Sequence, residues 1–134
     1  MKDRRHHDVT EREVVDLHDH ALRDFGGPKG ILDVGRLSSC LAMPRMSFDG
    51  SERYPTLPDK AAAYCFYIIK NHPFVDGNKR TAFLVAHHFM LINGELPRFE
   101  EEETEMILKG VASGTLGLDA LLGLFVRAIE NRPR

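Results

Sequence analysis

The residues His72–Thr81, HPFVDGNKRT, bring the side chains that could do chemistry into one short run. Within it stand an imidazole, a carboxylate, a glycine, an amide and two cations. Apolar, helix-like segments flank it on both sides. A helix that stops at His72-Pro73 and restarts near Asn78 would turn backbone N–H groups toward a bound anion. Lys79 and Arg80 add positive charge at that point. Cations are disfavoured at a helix N-terminus unless something anionic sits there, so this local conflict argues for a ligand. His72 could accept and return a proton near neutral pH. Asp76 supplies one hard oxygen, enough for magnesium where phosphates and waters complete the shell. Gly77 permits a tight turn and close approach of a ligand to the backbone. The parts are those of a phosphoryl- or nucleotidyl-transfer site. Each also has a plain structural role: His72 as a helix C-cap, Phe74 as an anchor in the core, Asp76 as a cap for the next helix. Their joint occurrence favours function.

The helices that must position this run are legible from periodicity and caps. Thr10 and Glu13 fit a capping box, and Val14, Leu17, His18, Ala21, Leu22 and Phe25 follow helical spacing. A first helix is predicted over Glu11–Asp24, ending at Gly26-Gly27-Pro28. The GGPKG loop lacks the spacing and preceding strand of a nucleotide-binding P-loop and reads as a turn. Asp33 caps a second helix, Val34–Met43. Phe48-Asp49-Gly50-Ser51 reads as a turn, the tip of a small hairpin just before the central helix. Thr56 caps a third helix, apolar on most sides and therefore central and buried, which delivers His72 from its C-terminal end. A fourth helix follows over Asn78–Asn93. The acidic start Glu100–Glu103 suits the dipole of a fifth helix, Glu101–Ala112, better than a metal site. A sixth covers Leu118–Ile129. The fold expected is an all-α compact bundle of about six helices, one domain over residues 1–134, with Met1–Val9 and Asn131–Arg134 frayed.

Composition agrees. The chain has 134 residues, 43% hydrophobic and 28% charged, which is the composition of an ordinary globular domain. The net charge of -2 argues against direct nucleic-acid binding. Cys40 and Cys65 read as buried thiols rather than a disulfide framework. No apolar run reaches the length of a membrane span, and the first residues lack the apolar core of a secretory signal, so a cytoplasmic protein is expected.

HPFVDGNKRT also resembles the signature of the Fic/Doc superfamily: histidine-x-phenylalanine-x-acid-Gly/Ala-Asn-x-Arg. GGPKGILDVGRLSSCLAMP is similar to the second-helix region of the Doc branch. YPTLPDKAAAYCFYIIKNHPFVDGNKRTAFLVAHHFMLINGELP is similar to its central helical pair. The resemblance runs in outline from Val9 to Leu124 and is strongest over about 40–100. AMP-transferring relatives carry Gly-Asn-Gly-Arg-x-x-Arg; here Lys79 replaces the second glycine and Phe83 the second arginine. Both departures point to the Doc branch, whose members pass the γ-phosphate of a reversed ATP to a threonine of a translation elongation factor. The resemblance implies His72 as general base, Asp76 as magnesium ligand, and Gly77, Asn78, Lys79 and Arg80 as holders of the ATP phosphates. It makes Phe48, Asp49, Gly50 and Ser51 a flap that aligns the target, and a small Phd-like antitoxin the partner. Met43 departs from the arginine that many Doc-like chains carry before the proline. The self-inhibiting Ser/Thr-x-x-x-Glu helix of some relatives has no counterpart: Val14 follows four after Thr10, and Ser51 four after Ser47. An AMP transferase and an inactive, partner-binding relative are the alternatives.

Overall fold

The computed structural model describes residues 6–25 and 30–131. The order is α1 Glu11–Phe25, α2 Val34–Ala42, a 3-10 turn Met43–Arg45, β1 Ser47–Phe48, β2 Ser51–Glu52, α3 Leu57–Asn71, α4 Asn78–Ile92, α5 Glu101–Ser113 and α6 Leu118–Glu130. The architecture is the expected all-α one. The two short strands pair with each other, antiparallel, with Ser47 opposite Glu52 and Phe48 opposite Ser51.

Caps set where the helices begin. Thr10 and Glu13 bond reciprocally, Thr10 N–H to Glu13 Oε1 at 2.8 Å and Glu13 N–H to Thr10 Oγ1 at 3.2 Å. Thr56 and Asp59 do the same for α3, with Pro58 in its first turn. Asp33 accepts from Arg36 N–H at the start of α2, and Glu100 from Glu103 N–H at the start of α5. Such caps contribute about 1 kcal/mol each. The second helix ends at Ala42, and Met43 passes into the 3-10 turn in which Pro44 lies buried. The predicted stop of α1 at Gly26-Gly27-Pro28 lies outside the described residues.

Helix α3 is the centre of the bundle and packs on α2, α4, α5 and α6. Ala61, Ala63, Tyr64, Cys65 and Ile68 are wholly buried. The run of alanines lets neighbouring backbones approach closely, while Phe89, Met90, Leu121 and Phe125 fill the space between the surrounding helices. Burial pushes the Cys40 thiol up to about 12 and raises Cys65 as well, so both stay protonated and unreactive.

The N-terminal segment departs from expectation. Residues 6–9 are not frayed: Val9 is buried, and its N–H donates to Tyr64 Oη at 3.2 Å. His7 exchanges hydrogen bonds with the Asn93 side chain, through its N–H at 2.7 Å and its carbonyl at 3.0 Å. The charge of the segment hides one apolar anchor, Val9, which docks it together with the His7–Asn93 hydrogen bonds.

Candidate active site

Helix α3 closes on His72, which takes the left-handed conformation, φ 53°, ψ 58°, and donates its N–H to Ile68 O. This cap turns the chain sharply into the loop 73–77. Phe74 then inserts fully into the core, a burial that contributes about 2 kcal/mol. Three backbone bonds tie the loop to the segment before α2: Leu32 N–H and Asp33 N–H to Pro73 O, and Val75 N–H to Gly30 O. The loop is thus held at its back by a short antiparallel bridge between Ile31 and Phe74.

Asn78 pins it from the other side. Its Oδ1 accepts from Phe74 N–H and its Nδ2 donates to Phe74 O, both at 2.9 Å. The residue is 6% exposed. A residue expected at the phosphates is therefore committed, through these two bonds, to shaping the loop. Gly77 precedes α4 in the left-handed region at φ 78°. Gly77, at the N-cap position of α4, has no side chain to cap it, so the first turn of that helix begins without a side-chain cap from its N-cap residue.

The remaining predicted residues stand around this helix start. His72 and Asp76 are exposed, Lys79 is half-buried and Arg80 is exposed. Asp76 Oδ1 accepts from Gly77 N–H at 2.8 Å, leaving carboxylate lone pairs for another partner. Among the described residues no group of three or more His, Cys, Asp or Glu side chains could hold a metal ion alone. A cation at Asp76 would need phosphate oxygens and waters, which is how magnesium is held beside a nucleotide. The exposed Asp76 carboxylate, beside the start of α4, fits that use.

Lys79 and Arg80 also line an open cleft of about 1130 Å³ between α4 and α5. Its aromatic walls are Phe83, His87 and Phe99, with Phe83 edge-on to Phe99 at 4.8 Å and parallel to His87 at 6.0 Å. Burial lowers the pKa of His87, and the neighbouring His88 adds to this. His88 faces the other way and meets Glu13 Oε2 at 3.0 Å. His72 and Asp76 do not line this cleft.

The hairpin is carried by α3. Asp49 and Gly50 at its tip have φ of 56° and 81°, the pair of left-handed residues that a type I′ turn requires. Phe48 is 83% exposed. The buried Lys60 Nζ donates to Glu52 Oε1 at 2.6 Å and to Tyr54 O. Tyr54 and Tyr67 hydroxyls meet at 2.7 Å. These anchors lie on α3, not on the loop that bears His72. Lys60→Met should cost about 2 kcal/mol in urea denaturation and free the hairpin amides to exchange. An unchanged midpoint would show that Lys60 is not the anchor.

One further residue lies in the site, and no sequence reading pointed to it. His18 of α1 is 1% exposed, stacks flat on Phe74 at 3.8 Å and 7°, and donates from Nε2 to Asp76 O at 2.7 Å. It occupies the apolar stripe of α1. The signal was there: a histidine on a buried helix face must find a polar partner.

A family model described as "Fic/DOC family" matches residues 8–90. The chain belongs to the Fic/DOC family. That span contains α1, the hairpin, α3, the His72–Thr81 loop and most of α4, leaving out Phe99 and the α5 wall of the cleft. Two curated relatives within the family align over most of their length. "Toxin Doc" of Mycolicibacterium smegmatis is 38% identical over 99 residues, covering 72% of this chain and 76% of that protein. "Protein kinase doc" of Escherichia phage P1 is 28% identical over 115 residues, covering 84% and 88%. As a Fic/DOC protein it keeps the histidine, acid, asparagine and arginine of the signature at His72, Asp76, Asn78 and Arg80.

Proposed function

We propose that the protein is a Doc-like toxin that transfers the γ-phosphate of ATP to a Ser or Thr hydroxyl of a protein target, a translation elongation factor. One observation carries the reading: an exposed imidazole, an exposed carboxylate and an uncapped, lysine-bearing helix start share one rigidly held loop. The curated names "Toxin Doc" and "Protein kinase doc" support it.

His72 takes the proton of the target hydroxyl as the new P–O bond forms. Lys79, Arg80 and the first amides of α4 face the phosphates and neutralise the charge that moves toward the departing ADP. Asp76 is the residue that would hold magnesium, whose positive charge adds to theirs. The flap Phe48–Ser51 offers an exposed turn, with the Phe48 ring beside polar residues, against which an extended target segment can lie. Activity is restrained by a Phd-like antitoxin, and the protein acts in the cytoplasm. No helix among the described residues is long and apolar enough to cross a membrane.

AMP transfer is the second reading, and Lys79 is the residue that argues against it. A long cation at this position crowds and recharges the phosphate subsite where AMP-transferring relatives have glycine. The experiment is incubation with magnesium, bacterial lysate and ATP labelled at the α or the γ position. Movement of γ label supports the kinase. Movement of α label replaces it with AMP transfer, and movement of neither favours a partner-binding protein. Lys79→Gly should lower γ transfer about 100-fold, the scale of removing one charge-stabilising group. An unchanged rate would take Lys79 out of the phosphate site.

A further inference from the structure

We infer that His18, on α1, is a positioning residue that aims the Asp76 carboxylate through the Asp76–Gly77 peptide. The inference rests on the reading of Asp76 as the metal-holding group. It starts from one planar unit. The peptide between Asp76 and Gly77 has its carbonyl bonded to His18 Nε2 at 2.7 Å and its N–H bonded to Asp76 Oδ1 at 2.8 Å. Peptide planarity makes these two directions inseparable, because C=O and N–H point to opposite edges of one trans plane. No cis peptide bond is present among the described residues. Fixing the carbonyl therefore fixes where the N–H points, and the N–H holds one carboxylate oxygen.

His18 is well placed to fix that carbonyl. Its ring lies flat on the fully buried Phe74, so it cannot tilt without disturbing the core. A carbonyl only accepts, so Nε2 carries the proton in this arrangement. The ring also walls the turn: a Cβ on Gly77 would lie 3.6 Å from His18 Nε2 and 3.4 Å from Leu22 Cδ2. Glycine adopts the φ of 78° without strain, so the backbone at Gly77 is free to turn and its orientation is set by its partners. Residues that orient a metal-holding group in this way typically change metal affinity 10- to 100-fold when replaced.

Two variants separate positioning from packing. His18→Phe keeps the stack on Phe74 and loses the donor. His18→Gln puts an N–H near the Nε2 position and loses the stack. The first readout needs no ligand: hydrogen exchange of the Gly77 amide. Protection should persist in wild type and His18→Gln, and fall to the level of Asp76→Ala, which lacks the acceptor, in His18→Phe. The second is calorimetric titration of magnesium in the presence of a non-hydrolysable ATP analogue. The magnesium half-saturation should rise about tenfold in His18→Phe and stay near wild type in His18→Gln. In an Asp76→Asn background, His18→Phe should add nothing further. A Gly77 amide unchanged in His18→Phe overturns the inference. So does a half-saturation that follows melting temperature equally in both variants. If the amide responds but Asp76→Asn binds magnesium like wild type, the hold of His18 on the turn stands and the metal role of Asp76 falls.

Discussion

His72→Ala is expected to lower phosphoryl transfer by about 100- to 10,000-fold, the usual contribution of a general base, with stability close to wild type. The separation of the two effects follows from how the residue is held. Its backbone N–H to Ile68 O survives any substitution except proline. Its side chain is exposed, and no side-chain hydrogen bond to it is found among the described residues. The left-handed backbone is unfavourable for both histidine and alanine, by about 1–2 kcal/mol against the right-handed form. His72→Gly relieves that strain and should therefore be the more stable of the two, by about 1 kcal/mol, and equally inactive. The measurement pairs the rate of label transfer with thermal denaturation for both variants. Transfer retained within a few-fold in either would remove His72 as the base.

How much of this was legible in the sequence depends on the range of the interaction. The caps of α1, α2 and α3 act over three residues, and each was readable from Thr10, Asp33 and Thr56. The hairpin tip was readable because Asp49-Gly50 is the dipeptide that tolerates two successive left-handed residues. The cluster His72, Asp76, Lys79 and Arg80 was readable because the chain itself keeps it together. Long-range polar contacts were not. His18 and Asp76 are 58 positions apart, and helical periodicity placed His18 in an apolar stripe without naming what it meets. Lys60 sits in an otherwise apolar, alanine-rich helix, and nothing nearby in the sequence says that Glu52 and Tyr54 receive its charge. Val9 was lost in a charged segment. Periodicity reports that a position is buried; it does not report its partner.

The second large effect is expected at Asn78, and it falls on the fold as well as on the rate. Asn78→Ala removes two hydrogen bonds at once and leaves the N–H and carbonyl of the buried Phe74 without these partners. Each orphaned group costs about 1–3 kcal/mol. A loss of about 3 kcal/mol is expected in urea denaturation, with a melting temperature lower by about 10 °C. Asn78→Asp is a sharper test of the geometry. It retains an acceptor for Phe74 N–H and turns a carboxylate oxygen, in place of the donor, toward Phe74 O. The ionised carboxylate cannot donate to a carbonyl, so this variant should be no more stable than Asn78→Ala at neutral pH despite its nearly identical shape. Exchange of the Phe74 amide locates the effect: protection should fall in Asn78→Ala and be partly kept in Asn78→Asp. A loss of stability below about 1 kcal/mol together with a large loss of transfer would reverse the assignment. The carboxamide would then act on the phosphates, and the hold on Phe74 would belong to the Ile31–Phe74 bridge and the packing of the ring alone.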